Sequence, residues 1–474
     1  MKYMEFSKKS NSLNNKSGYI LAGSETLANI LDNFIKNTKG RYTDNFTRED
    51  ISKFFSNNIS GFLHSFGQSF SGRKSYKKYN INEANVFNKC KDTGFFENSN
   101  MYVDSGGFQV SIGKMEKNET ELLIEHYHNF LSDYSDVYQR AFILDLPPGP
   151  DCKIFNTFKD VYEYNKRTYL EAANFPKDVL DKIVFILHFR TPKLWNIYTH
   201  IMRDQDLFNN FKHHATGGIV ANMRGDMSVP CIIYTLPIVP LLNECIRHKR
   251  NYLNFHILGG ANFRDIFFYE LFREHVKNVH NIELNITYDS SGLFKALMIG
   301  RFIIVKHHNI FKKMDIRSDN LNKRFLGEER VINKYRSEIN RMSLENDFKP
   351  IHLKEIYNEE TGTFFEDVKV YTMLYMLFQY REVQQFLKEK AKELYPLYLS
   401  KDYKEFSNGV VEVTKNLNSG KLTKKQTIKS HSVIRSLDML HNLDEDYCKY
   451  IVNNSLGKDE FHWLESDSGI ERIV

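Results

Sequence analysis

The stretch Tyr102-Val103-Asp104-Ser105-Gly106-Gly107-Phe108-Gln109-Val110 runs from β-branched and aromatic residues into a carboxylate and then two glycines. This is the pattern of a buried strand that delivers an acid to a loop where backbone must approach a neighbour closely. An ordinary strand and turn, with Asp104 as a cap, fits the same spacing. The design recurs in Ile286-Thr287-Tyr288-Asp289-Ser290-Ser291-Gly292, where an apolar strand empties into Asp289 and small residues. Barrel enzymes keep their chemistry at the carboxyl ends of their strands, so the two acids are expected on one rim if both strands belong to one barrel.

Working outward, six further stretches read as strands. Tyr19-Ile20-Leu21-Ala22-Gly23 precedes a helical face of Leu27, Ile30, Leu31 and Phe34, and Phe62-Leu63-His64-Ser65-Phe66 follows. Ala141-Phe142-Ile143-Leu144-Asp145 ends in an acid and meets Leu146-Pro147-Pro148-Gly149-Pro150, which cannot continue a strand and so holds Asp145 in place. Ile183 to His188 forms the fifth strand in chain order, and Thr191-Pro192 supplies a cap and a first-turn proline for the helix after it. The sixth is Thr216-Gly217-Gly218-Ile219-Val220-Ala221, whose glycines suggest a flat ligand against the backbone; the seventh, Asn254 to Leu258, ends in Gly259-Gly260. With the Asp104 and Asp289 strands this makes eight, alternating with helical patterns, which predicts a (β/α)8 TIM-like barrel. No G-x-G-x-x-G follows the first strand, which weighs against a doubly wound open sheet. In the barrel, Asp104, Asp145, His188, Gly217-Gly218, Gly259-Gly260 and Asp289 converge on the carboxyl-end rim.

With 474 residues, 41% of them hydrophobic and including 37 Phe and 27 Tyr, the chain can bury a large core. Beyond Phe302-Ile303-Ile304-Val305 the β/α alternation stops, which predicts a barrel over 1–325 and a mainly helical region over 326–474. Within the latter, Val370, Met373, Leu374, Leu377, Phe378 and Tyr380 open a long amphipathic helix read as domain packing rather than a coiled coil. The net charge of +6 is compatible with a polyanionic partner without requiring one. Two basic segments stand out. Arg73, Lys74, Lys77 and Lys78 are interleaved with Tyr76 and Tyr79 in an insertion near 70–100, and Lys421, Lys424 and Lys425 lie in a basic run from Val411 to Arg435. Either is a solvated surface by default or a phosphate-contacting patch for nucleic acid. Five scattered cysteines without a CxxC pair suggest neither a disulfide framework nor a thiolate zinc site, and point to a reducing cytoplasm. No targeting segment or bilayer-spanning run is read, and no membrane partner is expected.

On the run Asp104 to Gln109 the sequence resembles the tRNA-guanine transglycosylases, whose barrel carries a DSGGFQ motif at this place. The likeness continues in order from Tyr102 to Gly300: Ala141 to Asp145 is similar to their base-binding strand, Gly217-Gly218-Ile219 to their GGL loop, and Tyr288-Asp289 to their nucleophile strand. Two departures follow. No cysteine lies between Asp289 and Cys448, so the family's CxCxxC zinc cluster has no counterpart, and His188 stands where a base-reading Gln is expected. His307-His308 is no substitute, since adjacent residues of a strand point to opposite faces, and no metal is assigned. With these departures and its C-terminal part, the chain resembles more closely the DNA-acting (DpdA-like) branch, which exchanges guanine in DNA for a 7-deazaguanine in bacterial DNA-modification systems and phages.

The resemblance implies a nucleophilic Asp289 and an acid/base Asp104. It implies a base site of Ser105, Gly106, Asp145, His188, Gly217, Gly218 and Ile219, with Phe108 and Met223 as ring-sandwiching side chains or plain core. Expected partners are DNA, or alternatively tRNA, together with free guanine and a 7-deazaguanine base such as 7-cyano-7-deazaguanine. No cofactor is expected, and the cytoplasm, a host's if the source is viral, is the expected setting. A catalytically silent nucleic-acid-binding subunit is the alternative of another class.

Overall fold

A computed structural model describes residues 18–38, 47–66, 94–95, 99–149, 151–189, 191–217, 230–260, 263–290, 301–305, 311–315, 337, 339–346, 357–358, 363–364, 368–417 and 424–455. Eight parallel strands close into a barrel in chain order: β1 (Tyr19–Ala22), β2 (Gly61–Ser65), β3 (Asn100–Asp104), β4 (Arg140–Phe142), β5 (Ile183–His188), β6 (His213–Gly217), β7 (Tyr252–Ile257) and β8 (Glu283–Ser290). Closure is made by β1 against β8, with Ile20 level with Asp289. The apolar β5, buried at every position, is the kind of strand that only a sheet covered on both faces can hold.

The helices predicted from period and caps form where expected. Leu27, Leu31 and Phe34 bury one face of the helix Ser24–Thr38. The Thr191 side chain accepts a hydrogen bond from the Leu194 backbone N–H at 3.2 Å, and Pro192 opens the helix Pro192–Arg203. The capped helix Arg48–Asn58 is an element that the periodicity did not reveal; Thr47 and Asp50 bond each other's backbone N–H groups.

Several boundaries differ from the sequence reading. The strand read through Asp145 stops at Phe142, although the Ile143 N–H still donates to the Val184 carbonyl at 2.9 Å; the chain then leaves the sheet ahead of its prolines. The sixth strand starts at His213, because His213 and His214 pair with β5 and β7 before the apolar-looking part begins. Residues 218–221 of that reading lie outside the described residues. Phe302 to Val305, read as the last apolar stretch before the helical region, belong to a strand, Arg301–Val305, that pairs antiparallel with Phe311–Asp315.

Helices tie down the barrel by bonding strand carbonyls. Tyr127 and Tyr169 donate their buried hydroxyls to the carbonyls of Phe142 and Ile186 at 2.6 and 2.7 Å. Inside the barrel, the Tyr102 and Phe142 rings reach across to His256 on β7, with centroids 6.5 and 4.8 Å from the imidazole. Because β3 and β7 are not neighbours, that contact fixes Tyr102, and by alternation Asp104, as inward-facing.

The later part of the chain packs onto this barrel. The long helix Val368–Leu399 buries Val370, Met373, Leu374, Leu377, Phe378 and Tyr380. Tyr380 stacks on Tyr19 of β1 at 4.5 Å and lies 4.3 Å from the Phe263 ring, while Tyr371 meets Phe34 edge-on at 5.4 Å. The helix Lys424–Asn442 accepts the His280 Nε2 on the Leu440 carbonyl at 2.6 Å. Arg203 reaches both Glu244 (2.7 Å) and Glu445 (2.6 Å), linking the helices Pro230–Arg247 and Glu445–Ser455. Buried side chains from both parts form one apolar cluster. Among the described residues, no helix is long and apolar enough to cross a membrane.

Candidate active site

The strand ends bring four predicted side chains to one rim. Asp104 is the last residue of β3 and His188 the last of β5; Asp289 is next to last in β8, and Asp145 lies three residues beyond the end of β4. The loop carrying Asp145 is held by Asn165, a buried residue of the helix Phe158–Ala173. Its side chain accepts from the Leu146 N–H at 2.9 Å and donates to the Leu146 carbonyl at 3.0 Å. A two-way clamp of this kind fixes the backbone one residue beyond the acid.

Asp145 and His188 form a close pair, with Oδ2 and Nε2 2.5 Å apart and both side chains buried. The Ser105 hydroxyl donates more weakly to Asp145 Oδ1 at 3.4 Å. A carboxylate offers about four lone-pair sites, so this arrangement leaves acceptor capacity. Gly217 stands beside the pair for a steric reason. A Cβ there would lie 2.8 Å from His188 Cε1, so the glycine makes room for the histidine of the neighbouring strand.

The two glycines after Ser105 do different work. Gly106 takes a left-handed φ of 92°, which lets the chain turn off β3, and its backbone N–H bonds Asp104. Gly107 packs so tightly that a Cβ would sit 1.8 Å from the Asp145 carbonyl oxygen. Backbone opposes backbone there, and nothing can rotate away. Gly107→Ala should therefore cost several kcal/mol, about 3 or more, and separate Asp104 from Asp145. The urea midpoint measures this; an unchanged midpoint would show that the loop yields easily.

Asp104 accepts a hydrogen bond from the Ser65 hydroxyl at 2.9 Å. Burial, and then the nearby charge of Asp145, push its carboxyl up to about 7; Asp289 adds to this, while the bonds from Ser65 and Gly106 oppose it. The three carboxylates are thus electrostatically in contact. Asp289 is held by one oxygen. Oδ1 accepts the Gly259 backbone N–H at 2.8 Å and faces His256 Nε2 at 3.2 Å, whereas Oδ2 has no protein hydrogen bond among the described residues. Two acids in different settings, one pushed up to about 7 and one with an oxygen that is unbonded among the described residues, suit paired acid/base and nucleophilic work.

Ser65, His256 and the Gly259 N–H are parts of the site that the sequence reading did not assign. For His256 the signal was present: an ionisable residue on the inward face near the end of a strand, just before the Gly259-Gly260 exit. Other predicted residues lie outside the description. Gly218, Ile219, Met223, Arg73, Lys74, Lys77, Lys78 and Lys421 lie outside the described residues, as do His307 and His308. Phe108 is in the short helix Gly107–Ser111, and Lys424 and Lys425 open the helix Lys424–Asn442, but these three side chains are not described. At the other end of the basic run, Arg435 is used internally, donating to the Tyr447 hydroxyl. Among the described residues, no group of three or more His, Cys, Asp or Glu is arranged to hold a metal ion.

Comparison with protein-family models and with curated proteins finds no match. The functional reading rests on the residues themselves.

Proposed function

We propose that this protein exchanges guanine in DNA for a 7-deazaguanine base through a glycosyl-aspartate intermediate. The observation that carries the reading is the pairing of two unlike carboxylates on one rim: Asp289, whose Oδ2 has no hydrogen bond among the described residues, and Asp104, pushed up to about 7. The resemblance of Asp104 to Gln109 to the DSGGFQ motif supports the same assignment.

In the first half-reaction Asp289 Oδ2 attacks C1′ of the deoxyribose. The C1′–N9 bond breaks, its electron pair leaves with the base, and protonated Asp104 supplies the proton that the departing guanine takes up. In the second half, the incoming base gives its proton to Asp104 and attacks C1′, and Oδ2 leaves as carboxylate. Two displacements return the original stereochemistry at C1′, the logic of retaining glycoside chemistry. Since a duplex hides the glycosidic bond, the nucleotide is flipped out or presented single-stranded.

The Asp145–His188 pair is the base-reading element in this scheme. Asp145 accepts from the amide and amine edge of the purine, and His188 holds the carboxylate in position. Removing a charged acceptor costs about 1.5–3 kcal/mol, so Asp145→Ala should weaken guanine binding on the order of 10- to 100-fold while adduct formation remains detectable. Equal affinity for guanine in calorimetric titrations of both proteins would contradict the role.

The deciding experiment supplies labelled guanine with either DNA or tRNA. Label entering DNA supports the proposal, and label entering tRNA alone moves the substrate to RNA. Label in neither polymer favours a silent binding subunit.

A further inference from the structure

Resting on the exchange reading above, we propose that His256 is a positioning residue that commits Asp289 to bonding the sugar through Oδ2 and eases release of that bond. The imidazole spans two inward residues of β8: Nδ1 meets the Thr287 hydroxyl at 2.9 Å and Nε2 meets Asp289 Oδ1 at 3.2 Å. Tyr102 and Phe142 pack against the ring from across the barrel, so it cannot swing away. Ionised Asp289 only accepts, so it settles the ring's polarity by requiring a proton on Nε2. The Thr287 hydroxyl then donates to Nδ1 of the neutral ring or accepts from Nδ1–H of a charged one. Both forms present Nε2–H to Asp289.

Two donors, the His256 Nε2–H and the Gly259 N–H, therefore converge on the same carboxylate oxygen, leaving Oδ2 as the oxygen able to attack. The consequence is unequal for the two half-reactions. Once the C1′–Oδ2 bond has formed, Oδ1 is an ester carbonyl and carries little charge. When the incoming base attacks C1′, the C1′–Oδ2 electron pair returns to Asp289 and negative charge reappears on both oxygens. Donors already aimed at Oδ1 stabilise that developing charge without reorganising, as an oxyanion hole does. During formation of the bond, the same donors only hold an oxygen that loses charge. His256 thus serves discharge of the intermediate more than its formation.

The test separates the steps. End-labelled guanine-containing DNA is mixed with the protein, adduct growth is followed on denaturing gels, and excess free guanine is then added to chase it. For His256→Leu, discharge should slow on the order of 10- to 100-fold, with formation changing by less than about threefold, so adduct accumulates. His256→Gln, whose amide can still donate, should recover most of the discharge rate. Thr287→Val, which removes the group orienting the ring, should slow the same step by less. Equal slowing of both steps in all three variants, or no change in the ratio of the two rates, would overturn the inference while leaving the exchange reading intact. A wild-type protein that forms no adduct would overturn the exchange reading and this one with it.

Discussion

Asp289→Asn is expected to abolish both the covalent adduct and base exchange, on the order of a 10^5-fold loss, while leaving the fold unchanged. The carboxamide can occupy the same space and its oxygen can keep the 2.8 Å bond from the Gly259 N–H, so the end of β8 stays where it is. A neutral amide, however, lacks the charge that attacks C1′. The measurement pairs denaturing gels with a thermal melt. If the variant melts like the parent but still traps DNA, another nucleophile is operating and the role of Asp289 is refuted.

The second large effect has two opposite parts. Asp104→Asn should reduce exchange about 10^2- to 10^4-fold, because the leaving guanine no longer receives a proton, yet it should make the protein harder to unfold at alkaline pH. In the folded protein, burial and the neighbouring Asp145 raise the Asp104 carboxyl from its ordinary 3.8 to about 7. Between those values the folded state holds a proton that the unfolded chain has released, so stability falls as pH rises through this window. Below about pH 4 both states are protonated and no penalty exists; above about pH 7 the full penalty is present, at most ~4 kcal/mol for a shift of this size and less because Asp104 is only half-buried. Asparagine has no such charge and can still accept from Ser65. Urea midpoints for parent and variant should coincide near pH 4 and diverge by pH 8. A difference that does not vary with pH would show that Asp104 is not held in a charge-penalising site.

The barrel was legible because two kinds of signal agreed. Runs such as Ile183 to His188 are too continuously apolar to sit anywhere but a covered sheet, and caps such as Thr191-Pro192 mark where the chain turns into a helix. The acids at strand ends were legible for the same reason, since a charge terminating an apolar run must lie where the sheet opens. The partners of those acids were harder to see. Ser65 and Asp104 are 39 residues apart, and His256 and Asp289 33 apart, and only the closure and register of the barrel put them together. Gly217 shows the opposite failing: its smallness was visible, but that it clears space for a histidine of the neighbouring strand was not. Strand β6 was read late because His213 and His214 look polar, although both are paired into the sheet.

Tyr380 stacks on Tyr19, so one of the last helices to be synthesised covers the first strand of the barrel. A ribosome delivers about 5–20 residues per second, so a nascent chain that has already exported its eight strands must wait several seconds more before the aromatic face at the β1–β8 seam is covered. During that interval the seam presents tyrosines to whatever lies nearby. Cellular yield of this protein is therefore tied to how well a nearly finished barrel is shielded while its own cover is still being made.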